Sequence, residues 1–298
     1  MKLKAWIHAA RLRTLPLSLS GIIAGSFAAY AKGFWDATIF LLAMLTTLFL
    51  QVLSNFANDL GDSYKGADNE ERVGPKRAIQ SGTISQKGMI IGVILMSLCA
   101  LGTALPLIII GTKGMPQGVL WTYVFLAIAC VLAAITYTIG KKAYGYNGLG
   151  DFMVFIFFGL VSVLGVYTLY AKSFDVSIIG LALAIGFLSV AVLNLNNMRD
   201  HRNDAKVGKR TLVVKMGYSR AKIYHTALIV LALLGLITTL VFNQWWKGFI
   251  ALAPFVILFL HLKTVWSVKD PKNLDPELKK VALSTFAIAI LFLISTVL

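Results

Sequence analysis

Nine apolar runs, each long enough to cross a lipid bilayer, constrain this chain more than any other feature of its sequence. A helix needs about 20 apolar residues to cross the hydrocarbon layer. The chain is 58% hydrophobic and 14% charged, whereas soluble domains carry about 25% charged residues. The sequence therefore predicts an all-α integral membrane protein with nine transmembrane helices in a bundle. The predicted spans are residues 15–32, 37–58, 88–111, 118–140, 149–171, 176–198, 223–243, 247–267 and 280–298.

Lysine and arginine are distributed unequally between the two sides that these nine spans define. Of the 28 basic residues, 24 fall on the side of the N-terminus and four on the other side. Because basic residues are retained on the cytoplasmic side of a membrane, we expect a multi-pass protein of the cytoplasmic (inner) membrane. Its N-terminus is expected in the cytoplasm and its C-terminus outside. The net charge of +15 then reflects topology and contact with anionic membrane lipid, and we expect no nucleic-acid partner.

Two short segments contain 7 of the 13 acidic residues, and each follows a long apolar run. Carboxylates beside a bilayer are costly, so they indicate a function there. In both segments Asn and Asp recur at spacings of three or four residues, which places them on one helix face. Two such faces that point at each other would form a set of hard oxygen ligands suited to Mg²⁺. The candidate metal ligands are Asn58, Asp59, Asp62, Asp68, Asp200 and Asp204.

Basic residues lie close to both acidic segments, and this combination favours the binding of a diphosphate. Mg²⁺ can bridge a diphosphate to carboxylates and neutralise it as a leaving group, while Lys or Arg binds the remaining oxygens. If the group that leaves is allylic, its apolar tail needs a groove among the helices. The alternative is a solvated loop whose charges only balance one another, which the helical spacing argues against. The candidate diphosphate-binding residues are Arg13, Lys65, Arg72, Lys76, Arg77, Lys142, Arg199 and Lys209.

The two acidic segments also resemble each other in their surroundings. Asn55 and Asn194 are 139 residues apart, as are Asn58 and Asn197, and a Gly-containing basic stretch follows each segment. The offset covers four helices, so the two copies would cross the membrane in the same direction, as in a parallel internal repeat. The alternative to an internal repeat is that the two segments are similar by chance or by convergence on one chemistry. In either case we expect a single domain over residues 1–298.

Together these motifs resemble the UbiA superfamily of intramembrane prenyltransferases. Asn58-Asp59-x-x-Asp62 and Asp200-x-x-x-Asp204 are similar to the N-D-x-x-D and D-x-x-x-D segments of that superfamily. The resemblance covers the whole chain in length, helix number and motif placement.

The menaquinone branch of this superfamily is similar in further places. Asp68 follows Asp62 by six residues, where the superfamily pattern has a third Asp after four. Residues 148–151 read G-L-G-D and residues 208–212 read G-K-R-T-L, as in that branch. Residues 11–16 read R-L-R-T-L-P, where the branch has R-P-K-T-L-P.

The resemblance implies a Mg²⁺-dependent enzyme. It would transfer a polyprenyl group from polyprenyl diphosphate to 1,4-dihydroxy-2-naphthoate with loss of CO₂, which gives demethylmenaquinone. Its central cavity would open near the cytoplasmic face. Two other functions stay open: transfer to another aromatic acceptor such as 4-hydroxybenzoate, and cation-coupled transport. The implied catalytic residues are Asp62, Lys141, Asp151, Asp200 and Asp204.

Two of these catalytic candidates also have ordinary explanations. Lys141 belongs to a Tyr137-x-x-x-Lys141-Lys142 segment that resembles a superfamily motif, so it would bind diphosphate; the alternative is a pair of lysines that only sets topology. Asp151 would hydrogen-bond the aromatic acceptor or act as a base. The alternative for Asp151 is an acid at a helix N-terminus, stabilised by the helix dipole.

Overall fold

The computed structural model describes residues 2–67 and 76–298, and all regular structure in these residues is helical. Within them, nine helices are long and apolar enough to cross a membrane, which confirms the predicted fold class. The helices are α1 (Lys2–Ala10), α2 (Leu15–Ala31), α3 (Ala37–Tyr64), α4 (Gln86–Gly111), α5 (Gln117–Thr136), α6 (Gly150–Val154), α7 (Val166–Ala171), α8 (Ile179–Lys206), α9 (Leu212–Met216), α10 (Tyr218–Phe242), α11 (Pro254–Ser267) and α12 (Asp275–Val297).

The fifth span is built from three helical pieces rather than one regular helix. A π-helical segment, Phe155–Gly165, connects α6 to α7, so that helical backbone is continuous from Gly150 to Ala171. π-helical turns are rare and frequently occur at functional sites. Here the segment carries Phe157 and Phe158, which line the cavity described below.

The described Asn and Asp residues of the two acidic segments, from Asn58 to Asp62 and from Asn196 to Asp204, lie on spanning helices and not in loops. α3 continues to Tyr64 and α8 to Lys206, beyond the predicted span ends at residues 58 and 198. The predicted ends follow hydropathy, which falls where the polar motif begins, whereas the backbone hydrogen bonding of the helix continues through it. The connection after α8 contains the short helix α9. Residues 68–75, in the connection after α3, lie outside the described residues.

We call the end of the bundle that holds the C-terminal ends of α3 and α8 the motif side, and the other end the opposite side. The N-terminal ends of α6, α10 and α12 also lie on the motif side. α1 packs against α3 there, where the rings of Trp6 and Phe56 are 5.2 Å apart. A short turn connects α1 to α2, and this turn lies close to the first acidic motif.

α8 lies at the centre of the bundle and packs against α10, α12 and the fifth span. Gly180 of α8 faces Gly235 of α10 so closely that a Cβ added to Gly235 would lie 2.6 Å from the Gly180 carbonyl oxygen. Small residues at such crossings let two membrane helices approach each other. This close packing fixes α8, and α8 in turn positions the second acidic motif.

We expect Gly235→Ala to lower the unfolding temperature in detergent, because overpacking a tight helix contact costs about 1–3 kcal/mol. Gly102→Ala is the matched control: no atom of the described residues lies within 4 Å of a Cβ built at Gly102, on an exposed face of α4. We expect that control to keep or slightly raise the unfolding temperature. Thermal unfolding followed by intrinsic fluorescence measures both, and equal values for the two variants would contradict the tight crossing.

Candidate active site

The acidic ends of α3 and α8 are connected through Tyr146, which lies in the turn before α6. The Tyr146 hydroxyl donates a hydrogen bond to Asp62 Oδ1 at 2.7 Å. Lys209 Nζ lies 5.4 Å from the centre of the Tyr146 ring and 3.8 Å from Asp204 Oδ1. Burial and the Asp62 carboxylate raise the pKa of Tyr146 above its ordinary value, and Asp204 adds to this effect. The structure therefore brings residues of both predicted motifs to one place.

The carboxylates of the first motif are buried and neutralised by arginines. Asp62 Oδ2 lies 2.7 Å from Arg77 Nη1, and Asp59 Oδ1 is 3.5 Å from the same nitrogen. Arg11 forms a second ion pair with Asp59. The Asp59 and Asp62 side chains are 1% and 3% exposed, so the arginines offset the cost of burying two charges. Arg77 also donates a hydrogen bond to the Asn58 carbonyl oxygen at 2.8 Å.

The N-terminal turn contributes a site residue that the sequence analysis did not select. Arg11 has a left-handed backbone conformation, with φ 49°, and its side chain reaches Asp59. Asn55 secures this turn by donating hydrogen bonds to the Ala10 carbonyl oxygen at 2.8 Å and to Thr14 Oγ1 at 3.2 Å. Arg13, the arginine of this segment that was predicted to bind diphosphate, is exposed. The signal for Arg11 was present in the R-L-R-T-L-P segment, but the sequence does not say which of its two arginines turns inward.

The second motif carries its own internal ion pair. Arg199 donates to both carboxylate oxygens of Asp200, from Nε at 2.9 Å and from Nη2 at 2.6 Å. Its Nη1 pairs with Asp275 at the start of α12, and Nη2 also donates to Asn196 Oδ1 at 2.9 Å. Every nitrogen of the guanidinium thus has an acceptor within the chain. The predicted contact between Arg199 and diphosphate would require the guanidinium to leave Asp200 or Asp275.

Several buried oxygen atoms at this end of the bundle lack a hydrogen-bond donor among the described residues. They are Asn58 Oδ1, Asn197 Oδ1 and Asp204 Oδ2. Such hard oxygen ligands suit Mg²⁺. Within residues 2–67 and 76–298, no group of three or more His, Cys, Asp or Glu side chains is arranged to hold a metal ion alone. The residues therefore fit Mg²⁺ that is bound jointly with phosphate oxygens, since Mg²⁺ commonly takes one or two carboxylates plus substrate phosphates.

A mostly apolar cavity of about 330 Å³ begins beside the first motif and extends toward the opposite side. Asn58 and Tyr137 line it near the motif side, and Ile108 and Leu169 line it near the opposite side. The α3 residues that line it extend from Asn58 back to Ala43, a length of about 22 Å at 1.5 Å per residue. The cavity can therefore hold an extended hydrocarbon chain with its polar end beside the motifs.

The other predicted site residues lie in different surroundings. Asp151 is buried at the start of α6, beside Tyr137 and Tyr224, but it does not contribute to the cavity lining. Lys141 and Lys142 are exposed in the turn that follows α5. A second pocket borders Asp59, and Arg13, Lys76 and Arg77 contribute to its lining. Asp68 and Arg72 lie outside the described residues.

Comparison with known proteins identifies the class of protein. A model of the UbiA prenyltransferase family matches residues 18–294. The chain belongs to this family, as the motifs predicted, and it is a prenyltransferase.

Two curated relatives match over nearly their whole length. A 1,4-dihydroxy-2-naphthoate octaprenyltransferase of Haemophilus influenzae (strain Rd) is 42% identical, over 98% of this chain and 95% of the relative. The enzyme of the same name from Escherichia coli K12 is 38% identical, over 98% and 94%. A UbiA homologue from Archaeoglobus fulgidus, solved with DMAPP and Mg²⁺, has the same fold at a TM-score of 0.63 and 16% identity, over 96% of this chain and 97% of that one.

We expect Arg77→Met to lower the free energy of unfolding by about 3–5 kcal/mol in buffer without divalent cations, because two buried carboxylates lose a shared partner. Mg²⁺ can replace that positive charge. Added Mg²⁺ is therefore expected to raise the unfolding temperature more in the variant than in the wild type. Arg220→Met, at an exposed arginine of α10, is the control and should respond to Mg²⁺ as the wild type does. The same Mg²⁺ response in all three proteins would refute a metal at this position.

Proposed function

We propose that this enzyme transfers a polyprenyl group from polyprenyl diphosphate to 1,4-dihydroxy-2-naphthoate, with loss of CO₂, to give the hydroquinone form of demethylmenaquinone. The observation that carries the reaction type is the placement of two acidic helix ends beside a long apolar cavity. The acceptor is supported by the names of the relatives, which are 42% and 38% identical over almost the whole chain.

The diphosphate would bind where the ends of α3 and α8 come together. Asn58, Asp59, Asp62, Asp200 and Asp204 would hold Mg²⁺, as the unpartnered oxygens of Asn58 and Asp204 suggest. When bound, Mg²⁺ supplies the charge neutralisation that lets a diphosphate leave. A relative of this fold was solved with DMAPP and Mg²⁺, which supports the same requirement here.

Basic side chains of this chain would bind the remaining phosphate oxygens. Lys65 and Lys209 lie near the meeting point, since the Nζ atom of each is within 6 Å of the Tyr146 ring centre. Lys76 and Arg13 border the second pocket, next to Asp59. Their charges would offset the repulsion between the diphosphate and the carboxylates, which otherwise opposes binding.

The cavity would bind the polyprenyl tail and keep water away from the reacting carbon. When the bond from the allylic carbon to oxygen breaks, both of its electrons leave with the diphosphate, and an allyl cation remains near Asn58 and Tyr137. Phe157 and Phe158 line the same cavity, and their ring faces can stabilise a cation. The ring carbon that bears the carboxylate of the acceptor then donates the electron pair of the new C–C bond. Its bond to the carboxylate breaks, the electron pair of that bond restores the aromatic ring, and CO₂ leaves, so the product keeps both hydroxyl groups.

We infer from the distribution of Lys and Arg that the motif side faces the cytoplasm. The diphosphate end of one substrate and the carboxylate of the other are charged and therefore remain in water. A site at the inner surface of the membrane can bind both. The cation-coupled transporter that the sequence left open has no support from the comparisons, because the family model and the relatives are prenyltransferases.

We expect Asp62→Ala and Asp204→Ala each to reduce Mg²⁺-dependent transfer by about 100-fold or more, since each removes charge stabilisation of the leaving group. Asp175→Ala is the matched control, because Asp175 pairs with Lys32 on the opposite side of the bundle. The assay follows labelled polyprenyl diphosphate with 1,4-dihydroxy-2-naphthoate, with 4-hydroxybenzoate, or without acceptor. Full activity in either acidic variant would refute the mechanism, and product with 4-hydroxybenzoate alone would refute the acceptor.

A further inference from the structure

We propose that Tyr146 is the positioning residue that sets the two acidic motifs at the spacing a diphosphate needs. Its hydroxyl orients Asp62, and its ring gathers one lysine from beside each motif, Lys65 and Lys209. This inference deepens the proposed function and rests on it, because it assigns a role to Tyr146 in the binding of Mg²⁺ and diphosphate. Tyr146 contacts the binding residues and not the reacting carbon.

The turn that carries Tyr146 is secured from both sides. Tyr146 is 9% exposed and belongs to a 3₁₀ turn, Tyr144–Asn147, between α5 and α6. On one side, the Gly145 N–H donates to the Tyr137 carbonyl oxygen at 3.0 Å. On the other, the Arg210 N–H donates to the Tyr146 carbonyl oxygen at 3.0 Å. The backbone of Tyr146 is thus tied to the end of α5 and to the segment that follows the second motif.

The hydroxyl of Tyr146 fixes one oxygen of a predicted metal ligand. It donates to Asp62 Oδ1 at 2.7 Å, while Arg77 Nη1 lies 2.7 Å from Oδ2. A phenol is protonated at neutral pH, so the hydroxyl remains a donor. Hydrogen bonds from residues behind a metal ligand orient it and tune its affinity for the metal.

The ring of Tyr146 contacts two ammonium groups that come from different parts of the chain. Lys65 Nζ lies 3.9 Å and Lys209 Nζ 5.4 Å from the ring centre, both within the range of a cation–π contact. Lys65 directly follows α3, and Lys209 follows α8. The ring therefore connects the first motif to the second, since Lys209 also lies 3.8 Å from Asp204 Oδ1.

Two neighbouring ammonium groups repel each other, and this repulsion indicates what they bind. Burial lowers the pKa of Lys65, Asp62 opposes this shift, and Lys209 adds to it. A polyanion placed between the two lysines would relieve their repulsion. A diphosphate, whose charge is divided between two phosphoryl groups, can accept one lysine on each.

Two substitutions separate the role of the hydroxyl from that of the ring. Tyr146→Phe keeps the ring and removes the hydrogen bond to Asp62. We expect it to raise the half-saturating Mg²⁺ concentration about tenfold, because hydrogen bonds to charged groups are strong, and to leave the affinity for pyrophosphate at saturating Mg²⁺ unchanged. Tyr146→Leu removes both groups. It is expected to show the same Mg²⁺ shift and, in addition, to weaken pyrophosphate binding about tenfold.

Both constants are measured by calorimetry on the full chain in lipid nanodiscs, with Mg²⁺ and inorganic pyrophosphate as probes. Tyr167→Phe is the matched control, since the Tyr167 hydroxyl donates to Asp175 Oδ2 at 3.1 Å on the opposite side of the bundle. It should bind both probes like the wild type. Thermal unfolding checks that each variant is folded. If Tyr146→Leu does not fold, the half-saturating Mg²⁺ concentration of Tyr146→Phe alone tests the inference.

Wild-type constants in both Tyr146 variants would overturn the inference. Equal losses of pyrophosphate affinity in the Phe and Leu variants would also overturn it, because the ring would then have no separate role. If the wild type itself binds no pyrophosphate in Mg²⁺, the proposed function fails. If the wild type binds pyrophosphate and transfers the polyprenyl group, but the Tyr146 variants match it, only the inference about Tyr146 fails.

Discussion

The burial of carboxylates at the ends of two membrane-spanning helices is the constraint on which the rest of this structure depends. Asp59 and Asp62 on α3 and Asp200 and Asp204 on α8 are all nearly inaccessible to solvent. Buried charges are destabilising unless they are paired. The chain meets this requirement with basic residues brought from distant segments, so the ion pairs that neutralise the motifs also fix the N-terminal turn, the start of α12 and the loop after α8 around them.

The same pairing explains how a stable protein can have a site for a highly charged ligand. The ion pairs of Arg77, Arg199 and Lys209 neutralise carboxylates of the two motifs. Mg²⁺ and diphosphate would bring positive and negative charge together, so that the carboxylates can turn to the metal while the basic groups turn to the phosphates. The site would then stay close to neutral throughout, which keeps the cost of burying charge beside the bilayer small.

Sequence patterns were sufficient for the nine spans, because hydropathy and length determine membrane insertion. Spacings of three and four residues also predicted a helical arrangement for Asn58 to Asp62 and for Asn197 to Asp204, and both stretches are helical. Their role as metal ligands stays a prediction. The partners of the motifs could not be predicted in the same way. Arg11 and Tyr146 lie 48 and 84 positions from the carboxylates that they contact, and Asp275 lies 76 positions from its partner Arg199. Only the packing of the bundle brings these pairs together. The predicted ends of α3 and α8, at residues 58 and 198, lie several residues before the observed ends at Tyr64 and Lys206. Hydropathy falls at the polar end of a helix although the helix continues.

A double-mutant cycle on Asp62→Asn and Asp204→Asn tests most directly whether α3 and α8 share one bound group. The measured quantity is the affinity for inorganic pyrophosphate in saturating Mg²⁺, for the wild type, each single variant and the double variant. We expect the two losses to be strongly non-additive, with a coupling of about 1 kcal/mol or more, because both residues act on one metal–diphosphate complex. Losses that add independently would contradict a site shared by the two helices.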